Sequence, residues 1–224
     1  NTELLTASLS PKWKFTLFNP NDSKFYATYV DAVSGEFEYF SYIGGCFLPV
    51  SVFEQKVENG KFTLKNTVED VMNWNVDHPH LYELTMELVD AEDNVKDTFS
   101  TTFGFRTVEF RADGFYLNDK KMKIRGLNRH QSYPYVGYAM PESMQKQDAD
   151  ILKYELGCNA VRTSHYPQSH HFINRCDEIG LLVFVEIPGW QHIGDEAWKK
   201  QACKNVEDMI LQYRNHPSIM IWGI

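Results

Sequence analysis

Short apolar and aromatic segments alternate with turn residues along the first part of the chain, over residues 1–105. Residues 25–30, for example, form an apolar and aromatic segment that is followed by the turn-forming run from Asp31 to Gly35. The candidate strands are residues 25–30, 37–40, 60–64, 81–89 and 98–105, with a hairpin turn at 90–94. Alternating short segments with frequent turns are typical of antiparallel strands. Several such strands at this spacing predict a β-sandwich.

After about residue 106 the pattern changes to apolar strands that alternate with amphipathic helices. The predicted strands are residues 122–127, 158–163, 181–186 and 219–222. The first helix begins at Pro141 and ends at Gly157, the second ends at Gly180, and Pro217 stops the third. This alternation predicts βαβ units and a parallel sheet.

Four strands with three helices in about 115 residues match half of a (β/α)8 barrel. The predicted fold class is therefore multi-domain, β plus α/β: a β-sandwich at residues 1–105 and a truncated TIM barrel at 106–224. A doubly wound sheet is the alternative, but no glycine-rich phosphate loop follows the first strand. Because a half barrel exposes strand edges and apolar helix faces, we also expect the chain to self-associate.

Composition and net charge limit the classes of molecule that this protein is expected to bind. The 224 residues are 43% hydrophobic and 14% aromatic, which is enough for packed cores. A net charge of −8 disfavours nucleic-acid and anionic-membrane surfaces. No apolar run approaches the roughly 20 residues of a membrane span, so we expect a soluble cytoplasmic or periplasmic protein. The chain starts at Asn1 rather than Met, which leaves an upstream segment open.

The four cysteines carry little information about function. They are Cys46, Cys158, Cys176 and Cys203, and they lack the paired short spacing of a zinc site. Four in a chain of this length are too few for a disulfide scaffold. We interpret them as small buried apolar residues.

Several stretches in order along the chain resemble motifs of one enzyme family. They are Trp74 to Tyr82, Phe103 to Arg106, Gly126 to Gln131, Asn159 to Pro167, Cys176-Asp177, Glu186 to Pro188 and Arg214 to Ser218. Together they resemble glycoside hydrolase family 2, the family of β-galactosidases, β-glucuronidases and β-mannosidases. The resemblance implies an immunoglobulin-like sandwich before a TIM barrel, and a retaining enzyme that acts on a terminal β-linked sugar.

The choice of sugar rests on two stretches. Asn128 to Gln131 and residues 186–198 look most like bacterial β-galactosidases. β-Glucuronidase and β-mannosidase remain alternatives within the family, because the discriminating residues lie mostly elsewhere. A non-catalytic carbohydrate-binding or interaction module is the alternative from another class.

Retaining glycosidases need two carboxyl groups about 5 to 5.5 Å apart. The resemblance implies an acid/base glutamate after an asparagine at the end of the fourth strand and a nucleophile at the end of the seventh. The predicted fourth strand begins at Ile219, and the sequence runs to Ile224. We therefore expect both glutamates to lie beyond Ile224, so that this chain has no catalytic residue and is inactive by itself although its parent protein is an enzyme.

The candidate substrate-binding residues follow the strand ends, where barrel active sites form. They are His130, Arg162, His165, Glu186, Trp190, His192 and Trp222. The two histidines at successive strand ends suit sugar hydroxyls. The resemblance implies that Arg162 orients the nucleophile and that Glu186 supports the ion network. Trp190 is interpreted as a sugar-stacking or a packing residue, and Trp222 as the floor of the pocket or a core-packing residue.

Three residues beside these positions carry weaker hypotheses. Asn128 and Arg129 are interpreted as orienting the loop that carries His130, with surface ion pairing of Arg129 as the alternative. Tyr166 is interpreted either as part of the substrate pocket or as a core-packing residue.

Several β-galactosidases of the family hold magnesium through a glutamate, a histidine two residues later and the acid/base glutamate. The matching positions here are Trp190 and His192. Magnesium prefers oxygen ligands, so a single imidazole makes a poor site. The sequence therefore predicts no metal and no cofactor.

Overall fold

The computed structural model describes residues 12–19, 24–31, 37–43, 68, 70–89 and 94–224. The chain divides into two compact units, the first formed by Asn1–Val71 with Tyr82–Thr102 and the second by Met72–Leu81 with Phe103–Ile224. The structure thus groups residues 72–81 with the second unit. The predicted assignment of residues 1–105 and 106–224 to a sandwich and a barrel stays a prediction.

The described part of the first unit forms a five-stranded sheet. Its strands are β1 (Lys12–Asn19), β2 (Lys24–Asp31), β3 (Phe37–Ile43), β4 (Tyr82–Val89) and β5 (Val95–Phe103), in the order β3-β2-β1-β4-β5. β1 pairs antiparallel with β2 and β4, and β2 pairs antiparallel with β3. The predicted strands at 25–30, 37–40 and 81–89 are confirmed in position, and the strand predicted at 98–105 lies three residues earlier at its start and two earlier at its end.

The described residues do not test every prediction made for this unit. They also contain one strand, β1, that the sequence analysis does not predict. The predicted strand at 60–64 and most of the predicted turn at 90–94 lie outside them. The described strands form one sheet, so the sandwich stays a prediction. β1 was not predicted, although Lys12, Trp13, Lys14 and Phe15 alternate with the period of a strand.

The second unit begins with a small antiparallel sheet of β6 (Val108–Arg111), β7 (Gly114–Leu117) and β8 (Lys120–Met122). The prediction of one strand over residues 122–127 is wrong here. Leu117 pairs with Lys120, so Asn118 and Asp119 form a two-residue turn with positive φ angles of 51° and 62°. Asparagine and aspartate tolerate that conformation, and the turn draws Met122 into a hairpin.

The parallel sheet of this unit consists, in the described residues, of four strands in sequence order. They are β9 (Gly126–Arg129), β10 (Ala160–Thr163), β11 (Leu182–Glu186) and β12 (Ile219–Gly223). Neighbouring strands pair in parallel. The helices between them are α1 (Glu142–Asp150), α2 (His170–Ile179) and α3 (Glu196–Tyr213). The predicted alternation of strands and helices is confirmed.

The ends of these helices follow local chemistry. The side chain of Ser169 caps α2 and that of Asp195 caps α3, each by accepting a backbone N–H. Gly180 ends α2 with φ 73°, and a Cβ atom there would lie 2.5 Å from the carbonyl oxygen of Val76. α1 runs on into one π-helical turn, Ile151–Glu155, which the apolar periodicity did not predict.

Two buried clusters cover the parallel sheet. The cluster between sheet and helices contains Ala149, Val161, Phe172, Ile173, Cys176, Leu181, Val183, Val185, Met209, Tyr213 and Ile219, among others. The second cluster closes the amino ends of the strands and contains Trp74, Phe115, Leu117, Ala160 and Leu182. Both clusters remove apolar surface from water and so stabilise the unit.

The cysteine prediction holds in part. Cys158 and Cys176 are buried, whereas Cys203 is exposed on α3 because it lies on the solvent side of an amphipathic helix. Cys46 lies outside the described residues. Within the described part of the chain, no helix combines the length and the apolar character that crossing a bilayer requires.

Candidate functional site

Two of the predicted residues meet at the carboxyl ends of the first two parallel strands. His130 follows β9 directly, and His165 lies two residues after β10. Their ring centroids are 5.7 Å apart, with the rings edge to face. Because β9 and β10 are neighbours in the sheet, their carboxyl ends place these side chains side by side.

Glu186, the last residue of β11, connects His165 to Arg162. Its side chain is 8% exposed, and its Oε2 lies 3.0 Å from His165 Nδ1. Its Oε1 accepts a hydrogen bond from Arg162 Nε. The carboxylate therefore orients an imidazole and a guanidinium at once. Arg162 also lies over the ring of Phe184, 5.3 Å from its centroid.

Trp190 extends this group towards solvent. Its ring stacks on that of His165, with centroids 5.7 Å apart and an interplanar angle of 27°. The side chain is 72% exposed, and its backbone has a left-handed φ of 39° directly after Gly189 at φ 150°. Most of the indole therefore remains accessible, so the structure places Trp190 beside the predicted sugar-binding residues.

The structure does not bring His192 to the same group. The ring of His192 is exposed and lies 5.8 Å from Trp198, edge to face, at the start of α3. It faces α3 because residues 192–195 lead directly into the cap of that helix.

Trp222 is also placed elsewhere than predicted. Between β11 and β12 the pairing register shifts, so that Val183 pairs with Ile219 but Phe184 pairs with Ile221. This irregularity reverses the alternation of faces, and Trp222 comes to pair with Val185. Trp222 accordingly packs against the cluster between sheet and helices, and the geometry supports its packing interpretation rather than a pocket floor.

Tyr166 and Gln131 lie beside these residues, although neither is among the predicted substrate-binding residues. The ring of Tyr166 lies 6.0 Å from that of His130, and its hydroxyl accepts a 2.9 Å hydrogen bond from the Gln131 N–H. Burial raises the pKa of Tyr166, and the hydrogen bond from Gln131 partly offsets this. Both residues follow strand ends inside the motifs quoted above, which was the available signal.

Arg129 differs from the surface ion pair considered for it. It is 6% exposed, and Asp148 on α1 accepts its hydrogen bonds at 2.7 and 2.9 Å. Burial lowers the pKa of Arg129, and Asp148 acts in the opposite direction. The guanidinium therefore lies on the helix side of the sheet, behind His130.

The residues at the positions of the family's magnesium ligands do not fit that ion. Trp190 offers no oxygen ligand, and its ring is stacked on His165. His192 faces Trp198. Across the described residues, no three His, Cys, Asp or Glu side chains are grouped so that they could hold a metal.

Two family models match the chain. Residues 108–224 match the model described as glycosyl hydrolases family 2, TIM barrel domain, and residues 48–106 match the model described as glycosyl hydrolases family 2. The chain belongs to glycosyl hydrolase family 2. The family resemblance of the sequence motifs is thereby confirmed, and the parallel sheet with its helices is part of a family 2 TIM-barrel domain.

Curated relatives carry glycosidase names. The chain is 59% identical over 158 residues to a β-galactosidase of Thermoanaerobacter pseudethanolicus, a match covering 70% of this chain and 21% of the relative. It is 57% identical over 163 residues to a β-galactosidase of Thermoanaerobacterium thermosulfurigenes, covering 73% and 22%. It is 38% identical over 176 residues to a putative β-glucuronidase of Formosa agariphila, covering 78% and 21%. The chain thus spans about a fifth of these relatives.

Solved structures of β-glucuronidases share the fold. The enzyme of Parabacteroides merdae aligns with a TM-score of 0.71 at 29% identity, covering 96% of this chain and 24% of that one. The enzyme of Bacteroides uniformis aligns with a TM-score of 0.73 at 28% identity, with the same coverage of 96% and 24%. These solved structures support the fold.

Proposed function

We propose that this chain supplies part of the sugar-binding site of a retaining glycoside hydrolase that acts on terminal β-galactosides. The observation that carries the proposal is the group of His130, His165, Glu186 and Arg162 at the carboxyl ends of a family 2 TIM-barrel sheet. Active sites of TIM barrels are built at these ends.

The histidines suit sugar hydroxyls. His165 Nδ1 faces Glu186, so Nε2 is the ring nitrogen that remains for a ligand. A carboxylate partner fixes the orientation of the ring, and fixed donors and acceptors bind hydroxyls with less loss of conformational entropy. His130 supplies a second imidazole 5.7 Å away, a separation over which one sugar ring can contact both.

Arg162 has hydrogen-bonding capacity beyond Glu186. Its Nε donates to that carboxylate, and its side chain remains 42% exposed. The two terminal nitrogens donate to no other residue in the described part of the chain. We propose that they hold the nucleophilic carboxylate of the complete enzyme and keep it ionised, as the family resemblance implies.

A galactoside is the favoured substrate because of the relatives' names. The two relatives above 50% identity are β-galactosidases, whereas the putative β-glucuronidase is 38% identical. β-Glucuronidase activity is the second candidate, since the solved structures that share the fold carry that name.

We further propose that the chain does not hydrolyse glycosides by itself. A retaining mechanism needs one carboxyl group as acid/base and a second as nucleophile. Glu186 is the carboxylate that lies among the described site residues, and both of its oxygens are engaged by Arg162 and His165. A single engaged carboxylate cannot perform both steps.

A chimaera tests this function. In the Thermoanaerobacter pseudethanolicus β-galactosidase, the stretch that matches this chain is replaced by the corresponding residues of this chain. Hydrolysis of nitrophenyl β-galactoside and β-glucuronide is then measured for the chimaera, the parent and the 224-residue chain. We expect the chimaera to hydrolyse the galactoside within about tenfold of the parent rate, and the 224-residue chain to hydrolyse neither.

Two controls make the result specific. Glu178→Gln changes a carboxylate that pairs with Arg175 on the outer side of α2, and should leave the chimaera active. His165→Ala should remove activity from the folded chimaera. A folded chimaera that prefers the glucuronide would favour the second candidate, and turnover by the 224-residue chain would contradict the account and direct attention to Glu186.

Self-association of the chain stays a prediction. Leu127 and Ile124 are apolar side chains that are 50% and 37% exposed at the edge formed by β9. Sedimentation velocity over a range of concentrations tests it, and a single monomer peak throughout would count against it.

A further inference from the structure

Side chains on both sides of His130 tie its loop to the loop that carries His165. We define the first loop as residues 129–131 and the second as residues 164–169. The two loops follow neighbouring parallel strands, whose ladder ends at Arg129 and Thr163. Beyond that point one backbone hydrogen bond joins the loops, from the Ser164 N–H to the carbonyl oxygen of Arg129 at 3.0 Å, and side-chain contacts provide the other links described below.

Arg129 anchors the first loop on the side before His130. Its Nη2 donates 2.8 Å and 2.7 Å hydrogen bonds to Gln145 and Asp148 on α1. Its guanidinium carbon lies 4.0 Å from the ring centroid of Phe172 on α2. A planar fork held by two helices has little freedom to move.

Gln168 joins this anchor to the second loop. Its Oε1 accepts from Arg129 Nη1, and its Nε2 donates a 2.9 Å hydrogen bond back to the carbonyl oxygen of Arg129. Its own carbonyl oxygen accepts a 2.6 Å hydrogen bond from the Tyr213 hydroxyl. Gln168 is buried, so these bonds face little competition from water.

Gln131 forms the link on the other side of His130. Its Oε1 accepts a 2.6 Å hydrogen bond from the Ser169 N–H. Its own N–H donates a 2.9 Å hydrogen bond to the Tyr166 hydroxyl. The residues immediately before and after His130 are therefore both fixed to the part of the second loop that follows His165.

We propose that Arg129, Gln131 and Gln168 are positioning residues that hold the imidazole of His130 at a set distance from that of His165. Two groups that bind one sugar must stay within a fraction of an ångström of their working geometry, and side chains locked by their neighbours provide this. The inference rests on the proposed function only in that the two histidines contact sugar. The fixed separation of the rings is testable without a ligand.

The test uses the 224-residue chain and variants of Gln131, whose side chain lies partly in solvent. Gln131→Leu removes the acceptor for Ser169 at similar volume, while Gln131→Glu keeps an oxygen there. NMR measures the nuclear Overhauser contact between the ring protons of His130 and His165. Titration with methyl β-D-thiogalactoside, which is not hydrolysed by glycosidases of this type, measures the dissociation constant.

We expect Gln131→Leu to melt within about 5 °C of the unchanged chain, because the side chain adds little to the buried core. We also expect it to lose the contact between the rings and to bind the thiogalactoside about tenfold more weakly. Gln131→Glu should retain both the contact between the rings and the affinity for the thiogalactoside. Gln168→Met should have the same effect as Gln131→Leu, from the other side of the link.

Arg175→Met is the matched control, since Arg175 pairs with Asp150 and Glu178 away from both loops. It should leave the ring contact and the affinity unchanged. Unaltered ring contact and affinity in both Gln131→Leu and Gln168→Met would overturn the proposal. Loss of the ring contact in these variants, with no thiogalactoside binding by any form of the chain, would support the positioning role and reject the proposed sugar site.

Discussion

Two pairs of neighbouring histidines lie at opposite ends of the parallel sheet. His78 and His80 sit on the segment that follows Trp74 at the amino ends, with rings stacked 6.4 Å apart. His130 and His165 sit at the carboxyl ends, with rings 5.7 Å apart. The two pairs therefore have similar distances between their ring centroids.

The pairs differ in what holds the rings. The loop of His78 is fixed through its backbone, since the Asn75 side chain accepts hydrogen bonds from the N–H groups of Asp77 and His78. At the other end, a buried carboxylate contacts the His165 ring itself. A fixed backbone makes a turn, whereas a fixed ring can bind a ligand in one orientation.

The side chains that surround the amino ends of the strands also differ from those at the carboxyl ends. The amino ends are closed by a buried apolar cluster that includes Trp74, Phe115 and Leu182. The carboxyl ends carry the charged and aromatic side chains of Arg162 and Trp190. We therefore expect substitutions at the amino ends to lower stability and substitutions at the carboxyl ends to lower sugar binding.

The largest effect on stability should come from Trp74→Ala. Trp74 is fully buried, and its indole N–H donates a 2.7 Å hydrogen bond to the carbonyl oxygen of Asp177. Removing a buried tryptophan leaves a cavity, so we expect the free energy of unfolding to fall by roughly 3 to 5 kcal/mol in urea titrations. Trp190→Ala, at the exposed tryptophan, should cost less than about 1 kcal/mol. Equal losses would contradict the comparison.

Glu186→Gln should lower the affinity for sugar strongly and the free energy of unfolding only slightly. The amide can still accept from Arg162, so we expect unfolding free energy to fall by only about 1 to 2 kcal/mol. The affinity for methyl β-D-thiogalactoside should fall at least about tenfold, because His165 loses its charged partner. Glu178→Gln on α2 is the control. A Glu186→Gln chain that binds the sugar normally would remove this carboxylate from the site.

Tyr213→Phe should produce a smaller change, and one that depends on pH. The hydroxyl of Tyr213 donates to the Gln168 carbonyl oxygen, so its loss should cost about 1 kcal/mol at neutral pH. Burial raises the pKa of Tyr213 to about 12. The folded-state pKa is thus above the value of about 10 in the unfolded chain.

The sign of the pH effect follows from that difference. The stabilisation by neutral Tyr213 is complete below about pH 10 and is lost as the pH rises from about 10 towards about 12. The phenylalanine variant has no such group, so the stability difference between the two chains should shrink above about pH 10 and reverse in sign by about pH 11.5. Urea titrations at about pH 7, 10 and 11.5 measure it, and a constant difference would show that Tyr213 does not titrate differently on folding.

The sequence predicts the parallel strands and the histidines at their ends, because the local apolar pattern controls those features. Apolar periodicity located β10, β11 and β12, and successive parallel strands place their ends together, so His130 and His165 were expected as neighbours. The hairpin at Asn118 and Asp119 was overlooked because an apolar Met122 fits either strand.

Other features depend on contacts that no local pattern encodes. The register shift beside β12 arises from the packing of two strands and decides the direction of Trp222. The Gln131 link joins residues 38 positions apart, and a polar residue in a loop gives no sign of its partner. The burial of Arg129 likewise depends on α1 and α2, which supply Asp148 and Phe172.

The most direct test of the sugar-binding site is NMR mapping of the 224-residue chain during titration with methyl β-D-thiogalactoside. All histidine ring signals can be followed in one experiment. The account predicts saturable shifts at His130 and His165 and none at His78 and His80. Saturable shifts at His78 and His80, with His130 and His165 unmoved, would contradict it.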